Sequence, residues 1–292
     1  MYVADEVSST LALLASFATA VSTIYSLWAV EHEVRYLYYT LSLLLITGVC
    51  GCLFTGDVFN LYVSIELTAV SSYAITGIYR ERARAVRAAI IYGVSGTIVT
   101  SFLLLAVFML YSSYGTLNMA DISLKVSNPS VEVPFSGRVY GDIVSASKVS
   151  LALITWVLLF KSGIMPNHFW LPEAYRAAPL PAIALFTASA DIIGVYGLIR
   201  FYYTVFGEAV ALGDFRGMLL NILMAIGSIS TIMSALLVSR QRSVRGLVAY
   251  SSISQFSLAL LGVAVGVSES VAGAILHLVA NGLGDTAVVL SA

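Results

Sequence analysis

The sequence predicts an all-α integral membrane protein with about nine transmembrane helices. Of its 292 residues, 59% are hydrophobic and only 11% are charged, whereas soluble domains carry about 25% charged residues. The mean hydropathy of +0.91 over the whole length shows that the apolar excess is not confined to one anchor. Because a soluble fold must still present a wetted surface, we expect lipid to surround most of the chain.

Nine stretches of the sequence are apolar enough to cross a bilayer, which takes about 20 residues of helix. They are Ser8–Val30, Tyr36–Phe54, Val58–Tyr79, Ala88–Ser112, Ile143–Met165, Pro179–Tyr203, Gly217–Ser239, Leu247–Val267 and Ser270–Ala292. Asp57 follows Thr55 and Gly56 and is expected to cap the third helix, because aspartate accepts a hydrogen bond from the first turn. The connection from Ser113 to Asp142 is expected to be a loop or a short surface helix. The whole chain, residues 1–292, is predicted to form one polytopic membrane domain.

Several function classes find no support in the sequence. The net charge of −1 and the lack of a basic tract argue against nucleic-acid binding. No glycine-rich phosphate loop, HExxH, nucleophile elbow or CxxC motif is present. Cys50 and Cys52 lie in one apolar stretch and point to different helix faces, so they predict neither a disulfide nor a metal site. We therefore expect no catalytic site, cofactor or metal ion in this chain.

The positive residues between the predicted helices favour one orientation. Counted from the N-terminus, the odd-numbered connections carry nine arginines and the even-numbered ones carry four lysines or arginines. The odd set is Arg35, Arg80, Arg82, Arg84, Arg87, Arg176, Arg240, Arg242 and Arg245, and the even set is Lys125, Arg138, Arg200 and Arg216. By the positive-inside rule the odd connections lie in the cytoplasm. The sequence thus predicts a multi-pass protein of a prokaryotic cell membrane, with its N-terminus outside.

Five ionisable side chains are predicted to lie within the membrane. They are Glu66, Lys161, Asp191, His277 and Asp285. A charge at the bilayer centre costs at least about 2.5–3.5 kcal/mol, so a purely structural bundle would seldom carry the whole set. The set predicts an ion pathway. Any single member also fits a polar contact between helices, and His277 alone also fits a hydrogen-bonded core residue.

Lys161 has the most informative surroundings of the five. It is followed by Ser162, Gly163 and Pro166, a context that interrupts helical hydrogen bonding. Burial disfavours the charged form of a lysine, whereas a nearby carboxylate favours it. If Glu66 faces Lys161, moving the two side chains together or apart would switch Lys161 between its charged and neutral forms, which suits proton transfer.

Four stretches of the sequence also resemble antiporter-like membrane subunits. Thr55–Val63, followed by Glu66, resembles the family stretch TGDLFNLFVFFE, and Phe160–Ala174 resembles its K…PFHFWLPDAH motif. Tyr114–Asp121 is similar to a loop of the Mrp-type proteins, and Ala249–Gln255 resembles AYSSISQ. The family comprises the D-type subunits of Mrp sodium/proton antiporters, the proton-pumping subunits of respiratory complex I, and the H-type subunits of archaeal membrane-bound hydrogenase and sulfane reductase.

The resemblance implies a fold of two inverted five-helix repeats, each with a broken helix and a central buried charge. In this chain it implies two initial spans in residues 1–56, one complete repeat in residues 57–207 and part of the second in residues 208–292, ahead of the second broken helix. It also implies partners, namely other membrane subunits of a hetero-oligomeric complex that includes another antiporter-like subunit. That complex would be a membrane-bound oxidoreductase or a cation/proton antiporter.

The resemblance also assigns roles to particular residues. Glu66 matches the conserved glutamate of the family, and Lys161 matches the lysine of its first broken helix. His277 matches the first histidine of a later H…H…K helix. Lys148, near an outer boundary, and His168, within the matched motif, are accessory candidates, although Lys148 also fits an anchor at the membrane interface.

The sequence departs from the family pattern at three positions. The family usually has lysine or histidine where Asp191 stands, and often a histidine and a lysine where Asn281 and Asp285 stand. The sequence favours an ion-translocating subunit, with a structural paralogue that no longer conducts as the alternative and a free-standing small-molecule transporter as a third. Because hard cations prefer oxygen ligands, the two aspartates also allow Na⁺ in place of H⁺.

Overall fold

The computed structural model describes residues 2–127 and 143–292, and these form a helical bundle. The α-helices are α1 (Glu6–Ala29), α2 (His32–Phe54), α3 (Val58–Thr76), α4 (Ala83–Tyr114), α5 (Met119–Ser127), α6 (Ile143–Lys161), α7 (Trp170–Ala177), α8 (Leu180–Leu185), α9 (Ile192–Ile199), α10 (Gly213–Val238), α11 (Val244–Val265) and α12 (Ser268–Leu290). Two π-helical segments, Phe186–Ala190 and Arg200–Val205, follow α8 and α9, and Val210–Leu212 is a 3-10 turn.

Nine helices in the described ranges are long and apolar enough to cross a membrane, which confirms the predicted number. Eight of them are α1, α2, α3, α4, α6, α10, α11 and α12. The ninth runs over Leu180–Val205, where α8 and α9 are continuous with the two π segments. We call Leu180–Val205 the central span.

Local sequence signals explain where several helices begin and end. Asp57 is the N-cap of α3, as predicted, and its Oδ1 accepts a hydrogen bond from the Asn60 amide at 2.8 Å. The predicted end of the fifth span at Met165 is wrong, because α6 already ends at Lys161. Gly163 then adopts a left-handed conformation with φ of 61°, which an α-helix cannot contain.

The boundaries of α4 and the segment after it also differ from a simple hydropathy reading. Helix α4 begins at Ala83 rather than at Ala88, since Arg84 and Arg87 extend the helix beyond its apolar part. The short helix α5 forms within the connection predicted from Ser113 to Asp142. Residues 128–142 of that connection, including Arg138, lie outside the described residues.

The central span is the core of the bundle. Every residue in its most apolar 18-residue window is buried. It packs against α1, α2, α6, α11 and α12, so a polar side chain on this span faces protein on all sides. This position explains why an ionisable residue here needs a partner from a neighbouring helix.

Helix α9 approaches the end of α6 closely at Gly194. A Cβ atom on Gly194 would overlap Ser162 Oγ and the carbonyl oxygen of Leu158. Only glycine fits this contact, because real Cβ atoms do not come within 3.0 Å of such atoms. The contact fixes the end of α6 against the central span.

Polar contacts join the odd-numbered connections at one end of the bundle. Arg82 Nη2 lies 2.6 Å from Glu31 Oε1, which ties the third connection to the first. Arg176 donates a hydrogen bond of 2.8 Å to Gln241 Oε1, and Arg245 donates one of 3.2 Å to the carbonyl oxygen of Arg176. The fifth and seventh connections therefore also meet, and the arginine-rich loops share one face.

The even-numbered connections meet at the opposite end, where the Met119 amide of the fourth donates to the Gly56 carbonyl oxygen of the second at 2.9 Å. Arg200, at the end of the central span, forms an ion pair with Asp5 and donates to Tyr196 Oη at 2.7 Å. Partial burial opposes the charge of Asp5, but hydrogen bonds from the Ser8 amide and from Arg200 lower the pKa of the Asp5 carboxyl below its usual value. The two ends thus carry separate charge networks, as the alternation of connections predicts.

Replacing Gly194 with alanine is expected to destabilise the protein by about 1–3 kcal/mol, because the added methyl group forces α9 away from α6. Gly273→Ala is the matched control, since nothing lies within 4 Å of a Cβ atom built there. Thermal unfolding of the detergent-solubilised protein measures the difference. Equal stability of the two variants would show that the α6–α9 contact tolerates a side chain.

Candidate functional site

The site is built around a break in the helix that carries Lys161. Lys161 is the last residue of α6 and is only 7% exposed. The chain then turns through residues 162–169 before α7 begins at Trp170. The Ser162 and Gly163 amides still bond to carbonyl oxygens of α6, at 3.2 and 3.0 Å. The broken helix predicted from the sequence is therefore confirmed.

Aromatic side chains hold the two parts of the broken helix together. Trp170 donates from Nε1 to the carbonyl oxygen of Phe160 at 3.1 Å. Its ring stacks on Tyr92 of α4 with 4.0 Å between centroids, and Tyr92 meets Tyr73 of α3 edge-on at 4.5 Å. These contacts satisfy a carbonyl oxygen near the break and close one side of the site with apolar surface.

Two carboxylates on different spans act on Lys161. It interacts electrostatically with Glu66 of α3 and with Asp191 of the central span. Among the described residues it forms no ion pair within 4.0 Å. Glu66 is half-buried, whereas Asp191 is 2% exposed. Neither carboxylate is thus within ion-pair distance of the Lys161 amine.

Asp191 directly follows a π-helical segment of the central span. Its amide bonds to the carbonyl oxygen of Phe186, five residues back, at 3.1 Å, and such segments often mark functional sites in helices. Tyr175 Oη of α7 donates to Asp191 Oδ2 at 2.6 Å. Ser162 Oγ, in the break, donates to the Asp191 carbonyl oxygen at 3.1 Å. Asp191 therefore binds to both sides of the broken helix.

Asp285 of α12 is a further buried carboxylate of the site. It is 7% exposed, and Ser252 Oγ of α11 donates to its Oδ2 at 2.7 Å. Asp285 also acts electrostatically on Asp191 and on Tyr175. Four ionisable side chains from four spans therefore form one group, with one cation and three carboxylates. We call this group the row, and its members are Glu66, Lys161, Asp191 and Asp285.

His277 lies on α12, eight residues before Asp285. Positions four residues apart are neighbours on a helix, so two such steps place the side chains on a similar face. The His277 side chain is half-buried. The buried Nε2 atom of His277 has no hydrogen-bond partner in the described part of the chain. Asp285 lies about 12 Å further along the axis of α12, and no hydrogen bond or ion pair between described residues joins it to His277.

The two accessory candidates are not joined to the row by the described contacts. Lys148 is half-buried and lies thirteen residues before Lys161 on α6, which is about 20 Å along the helix axis. His168 lies in the break, and its Nδ1 atom has no hydrogen-bond partner among residues 2–127 and 143–292. No hydrogen bond or ion pair between described residues links either side chain to Glu66, Asp191 or Asp285.

Sequence reasoning identified the charged members of the row but missed their neutral partners. Tyr175, Ser162 and Ser252 hold Asp191 and Asp285 by hydrogen bonds. Tyr175 stands directly after the K…PFHFWLPDAH-like stretch, which is the one signal that pointed towards it. In the described residues no cluster of three His, Cys, Asp or Glu side chains is suited to hold a metal ion.

Comparison with known proteins matches this arrangement to one family. Residues 55–292 match the family model described as NADH:quinone oxidoreductase/Mrp antiporter, transmembrane. The chain belongs to this family. The match includes every member of the row and both parts of the broken helix.

Individual relatives in the family agree with this assignment. Over 277 residues the chain is 32% identical to a D-type subunit of a Na⁺/H⁺ antiporter of Bacillus subtilis, covering 94% of this chain and 52% of that one. Over 248 residues it is 32% identical to an N-type subunit of the NADH-quinone oxidoreductase of Desulforudis audaxviator, covering 84% and 46%. The chain thus spans about half the length of the relatives it matches.

Solved structures share the same fold. A chain of an archaeal respiratory membrane complex, the membrane-bound sulfane sulfur reductase, superimposes with a TM-score of 0.80 at 32% identity, covering 94% of this chain and 52% of that one. A chain of the Mrp complex from Dietzia superimposes with a TM-score of 0.83 at 26% identity, covering 98% and 50%. The chain is therefore a multi-pass membrane protein with the fold of this family.

Truncating Trp170 to alanine is expected to destabilise this family member by about 3–5 kcal/mol, because it leaves a cavity and removes a donor beside the break. Phe169→Ala is the matched control, since the neighbouring ring is 52% exposed. The measurement is thermal unfolding in detergent. A Trp170 variant as stable as the Phe169 variant would show that the aromatic contacts do not support the break.

Proposed function

We propose that this chain is a membrane subunit of a multi-subunit complex that translocates H⁺ or Na⁺. Its part of the ion path runs through Glu66, Lys161, Asp191, Asp285 and His277. The observation that carries the proposal is the position of Lys161, which is buried at a helix break and interacts electrostatically with carboxylates of two other spans. Ionisable groups inside a membrane protein typically mark ion paths, and broken helices there line cavities or binding sites.

The mechanism follows from the charge of Lys161. Burial penalises its ammonium form, and each nearby carboxylate stabilises that form. A small movement of Glu66 or Asp191 relative to Lys161 therefore changes whether the amine keeps its proton. A proton released from Lys161 can pass to Asp191 and then to Asp285, since these groups are neighbours in the row.

The names of the relatives support a multi-subunit membrane complex as the place where this chain works. They are subunits of a Na⁺/H⁺ antiporter, of NADH-quinone oxidoreductases and of an archaeal respiratory membrane complex. We propose that this chain works in a prokaryotic cell membrane beside other membrane subunits, including another antiporter-like one. The parent complex is an oxidoreductase or a cation/proton antiporter, and the redox chemistry, where present, belongs to other subunits.

The proposed path also gives the chain an internal organisation. Residues 57–207 correspond to one complete antiporter-like repeat, which holds Glu66, Lys161 and Asp191. Residues 1–56 form two initial spans, and residues 208–292 form part of a second repeat, which contributes His277 and Asp285. The path then crosses from the first repeat to the second between Asp191 and Asp285.

Lys161→Ala is expected to abolish most ion transport by the parent complex, because it removes the one cation of the row. The measurement is H⁺ or Na⁺ movement into proteoliposomes that contain the assembled complex. Lys125→Ala is the matched control, since Lys125 pairs with Asp121 on the short helix α5, outside the spans. Unchanged transport by a fully assembled Lys161 variant would identify the chain as a structural, non-conducting subunit.

The proposed orientation places the arginine-rich face in the cytoplasm and the start of α1 outside. In a protein without its two native cysteines, Ala120→Cys on α5 is then expected to react with a membrane-impermeant maleimide added to intact cells. Ser239→Cys, in the seventh connection, is expected to react only after the cells are opened. Both positions are exposed, so the reverse labelling pattern would contradict the orientation.

A further inference from the structure

The hydroxyl of Tyr175 is a neutral group at the centre of the row. Its Oη donates to Asp191 Oδ2 at 2.6 Å. Tyr175 also interacts electrostatically with Asp285, so it is near both carboxylates of the proposed transfer step. The ring is fully buried and packs beside Phe186, with 6.2 Å between centroids, in the π segment that precedes Asp191.

Asp191 and Asp285 accept hydrogen bonds from different hydroxyl groups. A hydroxyl group has one proton and donates to one acceptor at a time. Tyr175 donates to Asp191, whereas Ser252, the donor to Asp285, also lies 2.8 Å from the carbonyl oxygen of Val248. Ser252 Oγ therefore has a second acceptor, whereas Tyr175 Oη donates to Asp191 alone in the described part of the chain.

A donor hydrogen bond favours the charged form of a carboxylate. We propose that Tyr175 is a positioning residue for ion transfer, whose hydroxyl favours the negatively charged form of Asp191 beside Lys161. This inference rests on the proposed function and adds a residue to it. When the hydroxyl turns away from Asp191, that carboxylate takes up a proton more readily.

Few ionisable groups surround Asp191, so the effect of the Tyr175 hydroxyl on it can be tested. The ionisable side chains that face it are Tyr175 of α7, Lys161 of α6, Asp285 of α12 and Tyr92 of α4. Tyr92 acts on Asp191 without a hydrogen bond to it among the described residues. Tyr175 is thus the side-chain donor whose removal changes Asp191 directly.

Tyr175→Phe is expected to leave the complex assembled and to move the acidic limb of its pH–transport profile to higher pH by about one unit, because a carboxylate without this donor takes up a proton more readily. Tyr202→Phe is the matched control. Tyr202 is also fully buried, and its Oη lies 2.9 Å from Thr155 Oγ1, outside the row. The control profile is expected to stay at the wild-type position.

A second variant keeps the volume and the ring of Tyr175. Incorporation of a ring-difluorinated tyrosine at position 175 makes the hydroxyl a stronger donor and is expected to move the acidic limb to lower pH. It also tests the inference if the phenylalanine variant fails to assemble. An unmoved acidic limb in an assembled variant, or an equal shift in Tyr202→Phe, overturns the role of Tyr175.

The transport result for Lys161→Ala separates this inference from the proposed function. If Lys161→Ala abolishes transport while the Tyr175 variants keep the wild-type profile, the ion path stands and the role of Tyr175 is wrong. If Lys161→Ala transports normally, the proposed function is wrong and the role of Tyr175 falls with it.

Discussion

The constraint on which the site depends is that lipid offers no hydrogen bonds to an interrupted helix. The break after Lys161 exposes backbone groups, so protein must surround it. Trp170 donates to a carbonyl oxygen of α6, and Ser162 donates to the carbonyl oxygen of Asp191. The first bond joins α7 to α6, and the second brings the central span to the break. The buried charges then meet there because their helices are already held together.

The same packing explains why the row mixes one cation with several carboxylates. The central span is buried on all sides, so Asp191 cannot reach lipid headgroups or bulk water. Its charge must be stabilised by a neighbouring cation or by hydrogen-bond donors. Lys161 supplies the first, and Tyr175 supplies the second. A lysine held loosely among such groups can change its charge with small movements.

Much of this arrangement could be predicted from the sequence. Hydropathy predicted nine spans, Asp57 marked the start of α3, and the residues after Lys161 predicted the broken helix. The hydrogen bonds between side chains could not be predicted. Tyr175 and Asp191 are sixteen residues apart in the sequence, and their contact depends on how each helix is rotated in the bundle. No local pattern encodes that rotation.

The π segment at Phe186–Ala190 makes the orientation of the residues that follow it depend on how many residues this part of the span contains. A π turn fits one more residue into the helix than a regular α-turn does. Each residue of an α-helix turns the chain by about 100°. A relative with one residue fewer here would therefore present a different position of the span to Tyr175 and Lys161. Insertion or loss of a single residue is thus a route by which the charge at the centre of this span can change identity while the flanking helices stay in place.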